Sequence, residues 1–242
     1  MFLPGGRDII GGVFEGLFMK IALNGATTMH ADLETDIKAA SEAGFELIEI
    51  WAAKLREFLK TKTAEDLKTL LDEHNLEPYS INSIERITFR TSEDYAEIKA
   101  ECEELSSVAG KIGAPYVVVV PGKLPENSTK EQIIEESTKV LNELGDIAEK
   151  HGVSLAFEFL GQTDCSVQTL DLCNEIVENV NRENIGNVLD TFHFDANFEN
   201  VEKVKRQELF FEEAAELSED PAKKNPLRAI NLQYFKSYII FW

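Results

Sequence analysis

The 242-residue sequence is poor in the residues that staple, punctuate or anchor a chain. Its three cysteines, Cys102, Cys165 and Cys173, are too few and too scattered for a disulfide framework or a zinc knuckle. Reduced thiols in a cytoplasmic protein are the matching expectation. Seven prolines and 14 glycines exclude collagen-like and low-complexity chains. No heptad is sustained, and no apolar run approaches the roughly 20 residues that span a bilayer. Positive charge is scarce: 24 Lys and Arg face 44 Asp and Glu, a formal net charge of −20. Such a surface repels phosphate backbones and anionic lipid, so no nucleic acid and no membrane is expected as a partner. Histidine is scarcer still, at positions 30, 74, 151 and 193. What is present is 43% hydrophobic and 9% aromatic, which excludes disorder and suffices for a real core.

Both ends differ from the middle. Residues 1–18 hold five of the 14 glycines and lack the charged start and cleavage site of a signal peptide. They read as an N-terminal extension, with Met19 opening the periodic pattern. Residues 223–242 contain four bases and no acid, and end in an apolar, aromatic run. A frameshifted or altered terminus and an ordinary C-terminal segment explain that break equally well. The expected domain organisation is therefore an extension over 1–18, one domain over 19–212 and a divergent tail over 213–242.

Between the ends, short β-rich runs alternate with amphipathic stretches. Strands are expected at 20–24, 47–51, 78–82, 116–120, 154–159 and 187–192. Helices are expected at 32–43, 64–74, 93–112, 128–150, 167–180 and about 199–218, with Gly44, Asn75, Gly113 and Gly152 as stops. Almost continuously apolar strands separated by helices mark parallel strands buried on both faces. No G-x-G-x-x-G follows the first strand, where ALNGAT stands, which disfavours a dinucleotide-binding open sheet. An α/β barrel of the (β/α)8 type is expected. It is incomplete at about six βα units, since eight need about 250 residues.

In a parallel barrel, functional groups gather at strand C-termini. Those positions hold Asn24, Glu49 with Trp51, Asn82, Pro121, Glu158, and Asp190 with His193. A bare carboxylate inside an apolar strand needs a metal, a base or a proton. Glu158 and Asp190 are one βα unit apart, on neighbouring strands about 4.8 Å from each other. At that spacing they repel unless a cation or a shared proton lies between them. Oxygen donors favour Mn²⁺ or Mg²⁺, with Zn²⁺ admitted if His193 joins. His193 reads as a ligand or as a contact to a sugar hydroxyl. Glu49 suits a pocket and a barrel layer equally.

At these residues the sequence resembles the xylose isomerase-like TIM-barrel sugar isomerases and epimerases. Within them it is most similar to the inosose (2-keto-myo-inositol) isomerases of bacterial inositol catabolism. KIALNGATT (20–28), AGFELIEIW (43–51), LAFEFLG (155–161) and VNRENIGNVLDTFHF (180–194) carry the likeness. The resemblance implies a divalent metal, Mn²⁺ or Zn²⁺ with Mg²⁺ or Co²⁺ as alternatives, held by Glu, Asp, His and Glu on four strands. Glu158 and Asp190 match the first two ligands, and Glu158 also matches an acid–base carboxylate. His193 matches a substrate-contacting histidine, and Asn24, Asn82 and Trp51 are expected to line the substrate. The implied substrate is a small sugar or cyclitol ketone, isomerised by proton transfer through an enediol(ate).

The likeness fades after about residue 205–212. No histidine follows His193, and the last acid is Asp220, so the third and fourth ligands have no counterpart. Impaired activity is one expectation; an inactive, truncated barrel or sugar-binding remnant is the alternative. Open sheet edges would leave room for a homo-oligomer. An apurinic-site endonuclease on the same barrel would need a histidine-rich centre and a positive groove, and this composition supplies neither.

Overall fold

The computed structural model describes residues 21–190, 193 and 238–240. Strand β1 (Ala22–Asn24) leads through a 3-10 turn (Gly25–Thr28) to helix α1 (Leu33–Ala43). β2 (Leu47–Trp51) runs directly into α2 (Ala52–Leu59), and α3 (Ala64–Glu73) follows. Then come β3 (Glu77–Ile84), α4 (Ser92–Ile112), β4 (Tyr116–Val119) and α5 (Lys130–Glu149). β5 (Ser154–Glu158), α6 (Leu170–Val180), β6 (Ile185–Asp190) and β7 (Tyr238–Ile240) complete the described elements.

Local chemistry sets the helix ends. The Asp32 side chain accepts the Thr35 N–H at 2.8 Å and starts α1. Thr63 with Asp66, and Thr129 with Gln132, form reciprocal capping boxes at α3 and α5. α1 stops at Gly44, whose φ of 84° lies in the left-handed region that a Cβ disfavours.

All adjacent strands pair in parallel, in the chain order β1 to β7. The sheet is an open, incomplete barrel whose edges, among the described residues, are β1 and β7. Its two faces are separate environments. Ile48, Ile50, Ile81, Val117, Val119, Leu155, Phe157 and Ile185 join the helices in the main core. Val118, Val120, Ala156 and Val188 form a second cluster with Leu160, which contains no helix residue and so marks the barrel interior. Strand side chains alternate, so Glu158 and Asp190 continue the interior series of Ala156 and Val188.

The six expected strands and the first five expected helices are found where the periodicity places them, with three differences. α2 was not anticipated. Trp51 precedes it without a side-chain cap, so no polar start signal separates the helix from β2. Its face of Ala52, Leu55 and Phe58 packs into the main core, and tertiary burial stabilises it. β3 extends to Ile84, and β6 begins at Ile185 rather than at 187. Tyr238–Ile240, within the segment read as a divergent tail, adds a strand to the sheet, with Asp190 opposite Ile240. The exposed hydrogen-bonding edge of β6 explains why an apolar β-prone run settles there. The extension at 1–18 and the helix expected at 199–218 lie outside the described residues. No helix among the described residues is long and apolar enough to cross a membrane.

Candidate active site

The ends of β5 and β6 bring Glu158, Asp190 and His193 together. Each offers a ligand atom, and those atoms lie within 4.8 Å of one another. Glu158 and Asp190 are 7% and 5% exposed, and His193 is half-buried. The His193 backbone N–H reaches Asp190 Oδ1 at 3.4 Å. Burial drives the Glu158 carboxyl well above its ordinary range, and the charges of Glu49, Asp190 and Glu85 add to the effect. A hydrogen bond between the Glu158 and Asp190 side chains acts in the same direction, because two carboxyl groups can share one only through a proton. Burial lowers the His193 imidazole, against the opposing pull of Asp190 and Glu85.

Among the described residues, the charges that act on Glu158 are all negative, and donor atoms are plentiful. Two carboxylates and a neutral imidazole make a mixed oxygen–nitrogen set that fits Zn²⁺ or Mn²⁺. A divalent ion would replace the proton between the acids and relieve their repulsion. The donor chemistry therefore suits a metal.

Across the interior, Glu49 is 1% exposed on β2 and saturated with donors. Its Oε1 accepts from Asn24 Nδ2 at 2.7 Å and from Asn82 Nδ2 at 2.9 Å. Its Oε2 accepts from Ser80 Oγ at 2.6 Å. The parallel register explains the convergence, since Asn24 pairs with Glu49 and Glu49 with Ser80. Burial raises the Glu49 carboxyl, the hydrogen bonds from Ser80 and Asn82 oppose that shift, and the Asp190 charge reinforces it. Of the residues expected to line the substrate, Asn24 and Asn82 thus share one acceptor. Trp51 stands half-buried at the end of β2 and lines a 460 Å³ recess with Met29, His30, Lys54 and Phe58.

Two networks brace these strand ends. Beneath the turn after β1, Lys54 Nζ donates to Asp36 Oδ2 at 2.5 Å, Thr28 O at 2.7 Å and Thr28 Oγ1 at 3.0 Å. Beyond β3 and β4, Gly122 N–H donates to Thr88 Oγ1 at 2.8 Å, and Ser166 N–H donates to Gly122 O at 2.9 Å. A Cβ on Gly122 would lie 2.2 Å from the Thr88 carbonyl oxygen, so only glycine fits there.

Sequence reasoning passed over Ser80, Glu85 and the Lys54–Asp36 pair. Alternation along S-I-N at 80–82 places Ser80 on the same face as Asn82, a usable signal. Glu85 lies beyond the strand end as one more exposed acid, and only the fold brings its charge to bear on Glu158 and His193.

A family model described as the xylose isomerase-like TIM barrel matches residues 37–226. The chain belongs to this family. It is 36% identical over 190 residues to the inosose isomerase of Bacillus velezensis, covering 78% of this chain and 68% of that protein. With the inosose isomerase of Bacillus subtilis the identity is 37%, at the same coverage of both. Among solved structures, the IOLI protein with a binding zinc atom is 38% identical with a TM-score of 0.70. That match covers 73% of this chain and 64% of the solved chain, so this chain spans less than two thirds of that neighbour. D-psicose 3-epimerase from Clostridium cellulolyticum H10, with D-tagatose, has a TM-score of 0.62 at 20% identity. It covers 73% of this chain and 65% of its own, and at that identity the likeness is one of fold. In this family's barrel the active side of the sheet is its C-terminal end, where Glu158 and Asp190 stand.

Proposed function

We propose that this chain holds a divalent cation, Zn²⁺ or Mn²⁺, at Glu158 and Asp190 with His193 beside them, and isomerises an inosose. The observation that carries the reading is the buried Glu158–Asp190–His193 cluster, with ligand atoms within 4.8 Å, in a chain 36% identical to inosose isomerases. The zinc atom in the IOLI structure supports zinc as the first metal to test.

When bound, the cation would neutralise the two carboxylates and polarise a carbonyl placed beside them. Glu158 removes the proton from the carbinol carbon next to the ketone and returns it to the former carbonyl carbon, while the hydroxyl proton of the first carbon passes to the former ketone oxygen, through an enediol(ate). Asp190, one strand away, keeps that carboxyl in place. His193, Asn24, Asn82 and Trp51 are assigned to the polyol and its ring. The buried cysteines are consistent with a cytoplasmic enzyme.

Solvent deuterium exchange into inosose tests the reading, with the purified chain loaded with Zn²⁺. Exchange is expected in the wild type and abolished in Glu158→Gln, with the fold intact by circular dichroism. Undiminished exchange in that variant would overturn the assignment. A second reading, a sugar-binding remnant without turnover, follows from the lack of any histidine after His193. It predicts metal-dependent stabilisation with no exchange in the wild type.

A further inference from the structure

Glu49 is buried, charged in type and saturated, yet it has no place in the proton transfer just described. We infer that Glu49 is a positioning residue that fixes the amide of Asn82 with its carbonyl oxygen available to accept a hydroxyl proton from a polyol substrate. The inference rests on the isomerase reading and deepens it by naming the polarity of one subsite.

The hydrogen-bond arithmetic is restrictive. Asn24 cannot turn its amide over, because its Oδ1 accepts the Ala26 N–H at 2.8 Å. Its Nδ2 therefore faces Glu49 Oε1, which must act as an acceptor. Asn82 approaches the same oxygen at 2.9 Å, and a flipped amide would press two acceptors together. Protonation of Glu49 at Oε2 leaves this intact, since that proton would face Ser80 Oγ, which can exchange its donor and acceptor roles. Asn82 thus spends one of its two N–H groups on Glu49, which fixes the plane and direction of the amide. Its Oδ1 makes no hydrogen bond among the described residues, on a half-buried side chain at the active end of β3. An amide held in this way presents Oδ1 as an acceptor, and that position takes a substrate group only if the group can donate. A ring hydroxyl meets that condition, whereas a carboxylate or phosphate oxygen does not.

The test is a cycle between protein and ligand, read as calorimetric affinity of the full chain with Zn²⁺ for inosose and its monodeoxy analogues. Asn82→Ala is expected to weaken inosose about 3- to 10-fold, the range of one neutral hydrogen bond. One monodeoxy analogue is expected to bind wild type and variant equally, because the hydroxyl that met Asn82 is gone. Glu49→Ala should erase the same discrimination, and Glu49→Gln, which keeps an acceptor at Oε1 and a donor toward Ser80, should restore it. If Asn82→Ala fails to fold, Asn82→Ser enters the same cycle. Equal losses for every analogue would overturn the inference, since a merely structural role weakens all ligands alike. If the wild type binds no inosose, the isomerase reading fails first, and this inference falls with it.

Discussion

The buried pair beneath the β1 turn makes a quantitative prediction. The Lys54 and Asp36 side chains are 5% and 1% exposed, so neither charge has water to fall back on. Lys54→Met keeps most of the volume and removes the ammonium. Asp36 then retains only the Thr28 hydroxyl at 2.7 Å, and the Thr28 carbonyl keeps only the Ala31 N–H at 2.8 Å. Breaking one partner of a buried pair costs about 3–5 kcal/mol, mostly as the uncompensated charge left behind. Against a total of about 5–15 kcal/mol, that is a large fraction. With a urea m-value of about 2 kcal/mol/M, the unfolding midpoint should fall by roughly 2 M. Asp36→Leu combined with Lys54→Met removes both charges. The Thr28 hydroxyl can then turn fully to Gly25 O, already 3.2 Å away, so most of the loss should be recovered. Equilibrium urea unfolding of wild type, single and double variants decides the matter. A single-variant shift below about 0.5 M, or a double variant no better than the single, would refute the reasoning.

Other expectations follow from the same chemistry. In the metal-free chain, the Glu158 carboxyl has a folded pKa raised above its free value of 4.5. The native state then keeps a proton that the unfolded state releases, so stability falls as pH rises above about 4.5, by at most about 1.4 kcal/mol per unit. Unfolding midpoints across pH 4 to 8 should show that slope, and Glu158→Gln should flatten it; a rise with pH would contradict the assignment. All three cysteines are buried, with Cys102 pushed up to about 11 and Cys165 and Cys173 also raised, all chiefly by burial. A thiol reagent at pH 8 should label none of them quickly in the native chain and all three in urea. Gly122→Ala should lower the melting temperature by roughly 3–10 °C, since the new methyl meets the Thr88 carbonyl and overpacking costs about 1–3 kcal/mol. An unchanged melting temperature would mean that the two loops can part without loss.

The site was legible in the sequence to different depths. Glu158 and Asp190 stand out because an acid at the end of an apolar strand is a chemical anomaly, and a spacing of one βα unit predicts adjacency. His193 follows from its offset of three residues. Glu49 was equally anomalous, yet its meaning stayed open between a pocket and a layer role. Its partners Asn24, Ser80 and Asn82 lie 25 to 33 residues away, on two other strands. Nothing local in the sequence pairs them; the register does.

Periodicity and caps, by themselves, determined the parallel α/β class and most element boundaries. Apolar runs with period 2 or 3.6, and stops such as Gly44, are local properties of the backbone, readable without neighbours. The tertiary structure alone decided the rest. It places β7 at the edge of β6 and stabilises α2 through burial of Leu55 and Phe58. It also joins Lys54 to Asp36 and brings the Glu85 charge to bear on Glu158. Each of these depends on which segments the parallel pairing brings side by side, and on how far burial strengthens the charges that meet there.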